Sequence, residues 1–162
     1  MRRNGKMRMI LLAAAVAVMG GVAPAIAENA TPYPGTQVVK TSFGFGELRQ
    51  RLESAIEKNK VYAVTRASAS AGAKSRGIKI PGNLVIGVYR NDFAVRMLKA
   101  SVPAGIEAPL RFYLTENADG KATLTYRKPS AVFAPYGSKD LDKLAGELDG
   151  IWAKIVADTL RK

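Results

Sequence analysis

One carboxylate and one loop hold the residue types in this sequence that could do chemistry. Glu107 stands before Ala108-Pro109, where a proline fixes the backbone and could hold the carboxylate in one place. A carboxylate whose surroundings shift its pKa can serve as an acid or a base. No second carboxylate is tied to it by spacing, because the other acids fall on predicted helix faces or in a turn. A structural Glu accepting hydrogen bonds at a strand entry is therefore the expected role. The loop Gly72-Ala73-Lys74-Ser75-Arg76-Gly77 pairs glycines, which let backbone N–H groups approach a ligand, with Lys74 and Arg76. These are ingredients of an anion site. The loop lacks the spacing and the Lys-Ser/Thr ending of a P-loop. Arg90 and Asn91 join Gly72, Lys74, Arg76, Gly77 and Glu107 as candidate ligand-binding residues.

The sequence has no Cys and no His. That removes disulfides, thiolate nucleophiles, thiolate or imidazole metal ligands and a Ser-His-Asp arrangement. No metal or cofactor is expected, and no group stands out as catalytic apart from Glu107.

The elements that must position these residues follow from periodicity. Between Gly105 and Gly137, Leu110, Phe112 and Leu114 alternate with Arg111, Tyr113 and Thr115, and Leu124 and Tyr126 alternate with Thr123, Thr125 and Arg127. That is the period of two of a sheet with one buried face. Asn117-Ala118-Asp119-Gly120-Lys121 supplies the Asp-Gly of a tight hairpin between them. Upstream, 36–42 predicts a strand, Phe43-Gly44-Phe45-Gly46 a flexible break, and the segment from Glu47 a helix with Leu48, Leu52, Ala55 and Ile56 on one stripe. Strands follow at 61–67 and 84–89, the second apolar on both faces and so expected near the sheet centre. Between these two strands, 68–73 could form a short helical turn. Asn91–Ser101 predicts a helix, and 129–137 reads as a connector. From a Ser138 N-cap, Leu141, Leu144, Leu148, Trp152, Ile155 and Leu160 recur at helical steps and predict a long helix across the sheet. Gly146 and Gly150 are expected where that helix passes over bulky side chains.

The first residues read separately. Arg2, Arg3, Lys6 and Arg8 precede an apolar run from Met9 to Met19, and Ala25-Ile26-Ala27 offers a small-x-small cleavage site. These are the parts of a signal peptide, which predicts a periplasmic or secreted chain beginning near Glu28, by the general secretory or twin-arginine route. The run is shorter than the roughly 20 residues of a membrane span, so no transmembrane span is expected in the mature chain. Residues 28–35 read as an extended leader and 36–162 as a single α+β domain. The formal charge is +12, and Arg66, Lys74, Arg76, Lys79, Arg90, Arg96 and Lys99 face Asp92 alone between Arg66 and Ile106. Such a surplus attracts anionic ligands or surfaces, although a solvated basic face is the plainer reading. The aromatics do not interleave with cations as in a single-strand nucleic-acid binder, so no nucleic acid is expected.

Taken together, several segments resemble the bacterial and archaeal family catalogued as domain of unknown function 302. The resemblance rests on Phe45-Gly46-Glu47-Leu48 with Leu52 and Ala55-Ile56, Ala71-Gly72-Ala73 with Gly77, Leu84-Val85-Ile86 leading to Asn91, and 102–110, VPAGIEAPL. Asp119-Gly120, Thr125-Tyr126 and Pro129 also fit. It implies a two-layer α+β fold, order β-α-β-β-α-β-β-α, with helices on a mainly antiparallel sheet, like the TATA-box-binding protein. It implies no reaction. Where relatives often carry Asp-His before the Ala-Gly-Ala run, this chain has Ser68-Ala69, and where they often read Gly-Asn-Pro it has Arg90-Asn91-Asp92.

The resulting expectation is a non-enzymatic module that binds a small molecule or an envelope protein through the sheet face and the loops around Gly72–Gly77 and Glu107. One alternative is a hydrolase or isomerase using Glu107 as acid or base. Another is an electrostatic binder of anionic envelope polymer or membrane. A homodimer through a sheet edge or an apolar patch is conceivable.

Overall fold

Alternation along one strand settles which side of the molecule is inside. Leu110, Phe112 and Leu114 are buried while Arg111 and Tyr113 are exposed, so every second side chain of this strand enters the core. The computed structural model describes residues 33–161. Residues 1–27, expected to be a signal peptide, and most of 28–35, expected to be an extended leader, lie outside the described residues. The strands are β1 (Thr36–Gly44), β2 (Tyr62–Ala67), β3 (Asn83–Tyr89), β4 (Leu110–Glu116) and β5 (Lys121–Arg127). They form one antiparallel sheet in the order β1-β5-β4-β3-β2. The helices are α1 (Phe45–Lys58), α2 (Ala69–Lys74), α3 (Asn91–Ala100), α4 (Pro129–Phe133) and α5 (Lys139–Leu160). The result is the two-layer α+β fold expected, with two short 3-10 turns at Pro103–Glu107 and Ala134–Tyr136.

The core lies between one sheet face and the helices. Leu48, Leu52 and Ile56 of α1, Phe93 and Met97 of α3, and Leu144, Trp152 and Ile155 of α5 meet Leu84, Ile86, Val88, Phe112, Leu114 and Leu124 of the sheet. Phe112, on the central strand, stacks on Trp152 at 5.4 Å between ring centroids and tilts against Tyr126 at 5.5 Å. α5 begins as its sequence requires: the Ser138 hydroxyl accepts the Leu141 N–H, and Asp140 and Asp142 occupy its first turn. No helix among the described residues is long and apolar enough to cross a membrane.

Several local expectations are corrected. The predicted break at Phe43–Gly46 is no loop, because Phe43 and Gly44 end β1 and Phe45 and Gly46 open α1. Both rings are anchored: the Arg51 guanidinium lies 4.1 Å over Phe43, and a Cβ on Gly82 would come within 2.9 Å of Phe45. The 129–137 connector contains α4 and a 3-10 turn. Pro129 at its first position is pre-set for a helix, and burial of Val132 and Phe133 holds it. The strand expected near the sheet centre, β3, does lie there, directly beside the middle strand β4. Gly146 and Gly150 face solvent, where a Cβ would meet nothing within 4 Å, so they are not packing contacts.

Gly87 does need to be glycine. A Cβ there, on the side away from the helices, would collide with Thr65 Oγ1 and come within 2.8 Å of Pro109 Cγ. Gly87→Ala is expected to destabilise the fold by about 1–3 kcal/mol, the usual cost of overpacking, as a lowered urea midpoint with unchanged m-value; an unaltered midpoint would show that the Pro109 ring yields freely. A polar clasp joins the ends of α1 and α5. Asp158 accepts from Lys58 Nζ at 2.9 Å and Asn59 Nδ2 at 3.0 Å, and lies 3.1 Å from Arg161. The hydrogen bonds from Lys58 and then Asn59 hold its carboxyl below the ordinary 3.8. A depressed carboxylate contributes its stability above the unfolded pKa and loses it as pH falls through the folded pKa. Asp158→Asn is expected to lower the unfolding midpoint at pH 7 and to flatten the acid loss of stability that the wild type shows below about pH 4. Parallel acid profiles would exclude this role.

Candidate functional site

The residues singled out in the sequence fall into two groups at opposite ends of β3. Gly72 and Lys74 are on α2, and Arg76 and Gly77 follow it, in the connection leading to the start of β3. Arg90, Asn91 and Glu107 lie beyond its other end, near the entry to β4, because Val88 pairs with Leu110. Seven strand residues separate the groups, about 20 Å at the usual rise per residue.

The α2 end is locally satisfied. Ser68 caps the helix by accepting the Ala71 N–H, Asn83 Oδ1 accepts the Ala69 N–H at 2.8 Å, and Ser75 Oγ donates to Gly72 O at 2.8 Å. Gly77 turns the chain with φ +73, while Lys74 and Arg76 extend into solvent.

At the other end, each candidate already has a partner. Arg90 grips Asp92 through two 2.7 Å hydrogen bonds and lies 4.3 Å over the Phe93 ring. The hydrogen bond from Arg90 is the main reason the Asp92 carboxyl sits below its ordinary range. Glu107 is half-buried, closes the 3-10 turn, and accepts from the Tyr136 hydroxyl at 2.9 Å. Burial first, and this hydrogen bond second, push the Tyr136 phenol up. The hydrogen bond found at Glu107 thus comes from a side-chain hydroxyl, in place of the backbone donor expected.

A cavity of about 40 Å³ lies behind Arg90, among Phe93, Met97, Leu110, Leu144 and Trp152. Its lining is apolar apart from Tyr89, Arg90, which Asp92 already holds, and Trp152, whose buried Nε1 has no partner among the described residues, and its size suits core packing rather than a ligand.

The broad open feature is the sheet face turned away from the helices. The strand registers arrange its side chains in rows across the sheet. One row runs Thr36, Arg127, Arg111, Gly87, Thr65; the next runs Val38, Thr125, Tyr113, Val85, Ala67; a third holds Lys40, Thr123, Thr115 and Asn83. Tyr62 and Tyr89 pair beyond the first row. Val38 is 50% exposed, Tyr62 64% and Tyr113 40%. The one carboxylate within the five strands, Glu116, ends β4 and accepts the Gly82 N–H at 2.7 Å. The face therefore carries Lys40, Arg111, Arg127 and, at the start of β5, Lys121, and no acid from the five strands. The alternation of residues 110–127 already marked Arg111, Tyr113, Thr125 and Arg127 as opposite in orientation to the core. What it lacked was the strand order that lines them up.

The model of the family described as "Domain of unknown function DUF302" matches residues 37–158. The structure is similar to the crystal structure of an uncharacterized conserved DUF302 protein from Bacillus stearothermophilus, with TM-score 0.70 and 18% identity over 80% of this chain and 100% of that one. No curated protein matches. The match across both strand edges and all the helices that build the core shows that this chain belongs to the DUF302 family, a family of unknown function.

Proposed function

We propose that this is a binding module whose uncovered sheet face takes an anionic partner. The supporting observation is one-sided coverage among the described residues: the helices bury one face, while the other leaves Tyr62, Tyr113 and Val38 exposed beside Lys40, Arg111, Lys121 and Arg127 and no carboxylate of the strands. Exposed aromatic and aliphatic groups among same-sign charges are what an oppositely charged ligand with an apolar body would match. Stacking two copies through this face would instead oppose like charges. Edge pairing is also discouraged, since β2 is irregular between Ala63 and Thr65 and β1 between Lys40 and Gly44.

Backbone amide mapping by NMR tests this reading, using phenyl phosphate and benzoate as anionic probes and benzyl alcohol as a neutral one. The anions are expected to shift amides of Val38, Val85, Arg111, Tyr113 and Thr125, with effects that shrink as salt rises. Tyr113→Ser should weaken them about tenfold, near 1.4 kcal/mol. Shifts confined to the helices or to 72–80 would overturn the proposal. We also propose export: in a bacterial host the protein is expected in the periplasm or medium with Glu28 as its first residue by N-terminal sequencing, and retention of Met1 in the cytoplasm would refute this.

A further inference from the structure

We propose that Arg111 and Arg127 form a seat for the oxyanion of a small organic phosphate or carboxylate, with the row through Tyr113 supporting its flat apolar body. This rests on the open face being the binding surface and names the ligand chemistry it selects.

The register that pairs Phe112 with Tyr126 sets Arg111 directly beside Arg127 on the open face. Facing residues on antiparallel neighbours stand about 4.5–5.5 Å apart at Cα, and like charges so placed repel. Most other arginines of the described fold have a carboxylate: Arg49 and Arg66 meet Glu53, Arg51 meets Glu47, Arg90 meets Asp92, and Arg96 meets Glu147, while Arg76 stands alone in solvent on the loop after α2. Neither Arg111 nor Arg127 forms an ion pair with a described carboxylate. Arg127 Nε is buried with no acceptor among the described residues, and its guanidinium is held by the Tyr33 ring at 4.9 Å. The two guanidinium groups are thus placed by backbone register and packing, without a counter-charge.

The flanks give this pair the outline of a site. Pro109 stands over Gly87, next to Arg111, and Tyr33 lies against Arg127. Thr36 pairs with Arg127 from β1, adding a hydroxyl at the rim. Two forked guanidinium groups side by side suit an oxyanion with several acceptor lone pairs, which each can bind through paired N–H donors. One row along, Val38, Thr125, Tyr113 and Val85 present methyl groups and an aromatic ring. The ligand that fits has its charge at one end and an apolar plate at the other.

The test titrates phenyl phosphate, benzoate and inorganic phosphate into the wild-type chain, R111Q/R127Q and the charge-matched K74Q/R76Q, following backbone amides and the arginine Nε–H signals. Phenyl phosphate or benzoate should shift the Arg111 and Arg127 signals and the Tyr113 amide. R111Q/R127Q should weaken binding at least tenfold and K74Q/R76Q less than twofold. Inorganic phosphate should shift the arginines but not Tyr113, and the tighter organic probe identifies the head group. Equal weakening in both double variants would mean diffuse attraction and overturn the seat. Undiminished open-face shifts in R111Q/R127Q would overturn the seat while leaving the open-face reading intact, and no open-face shift in the wild type would remove both. If R111Q/R127Q does not fold, R111K/R127K decides: it keeps both charges but loses the forked donors, so an unchanged affinity overturns the proposal and a several-fold loss supports it.

Discussion

The contact of Phe112 with Trp152 is the constraint from which the rest of this molecule follows. Phe112 is fully buried on the central strand, and Trp152 sits midway along α5, the helix that also packs against α1, α3 and α4. Because side chains alternate along a strand, placing Phe112 under α5 commits Leu110 and Leu114 to the core and sends Arg111 and Tyr113 to the other side. The antiparallel registers then carry the same choice to the neighbouring strands. The inward ring and the outward arginine beside it are two consequences of one placement.

This coupling explains what was legible in the sequence. The inside-outside pattern of residues 110–127, the stripe of Leu48, Leu52 and Ile56 on α1, and the Ser138 cap of α5 are local signals, each set by spacing within a few residues. The strand order is not local, and neither is a row such as Thr36, Arg127, Arg111, Gly87 and Thr65, drawn from segments far apart in the chain. The Pro129–Phe133 helix escaped for a related reason: five residues are too few to show a period, and burial of Val132 and Phe133 decides their conformation. Gly87 reads in sequence as a weak point in an apolar strand. Its requirement comes from Thr65 and Pro109, which arrive from other segments.

Charge shows the same limit more sharply. Counting along the chain puts the basic surplus between Arg66 and Ile106, yet the fold pairs Arg66 with Glu53, Arg90 with Asp92 and Arg96 with Glu147. The Arg96 pairing joins α3 to α5 and is the first cause of the lowered Glu147 carboxyl. From Glu107 onward acids and bases nearly balance in the sequence. There the acids go to the helix, the turns and a strand end, while Arg111 and Arg127 go to the sheet face. A stretch that looks neutral thus yields two adjacent cations without an ion pair to a described carboxylate, while three of the seven cations in the stretch that looks basic are paired in space.

The remaining question is why a sheet should leave such a face uncovered. An uncovered hydrophobic face risks association with other sheets, and here cations at Arg111, Arg127 and Lys40 oppose that outcome by repulsion between copies. The same charges favour a partner of opposite sign. Threonines at 36, 65, 115 and 125 fit the sheet through their branched side chains while adding hydroxyl groups to the surface. Glu107 belongs to the scaffold in this arrangement: its hydrogen bond from Tyr136 ties the turn before β4 to the segment before α5. By fixing where β4 enters the sheet, it helps set the register that holds Pro109 over Gly87 and Arg111 beside Arg127. The carboxylate that stands out in the sequence is thus engaged by Tyr136 at the edge of the core, away from the open sheet face.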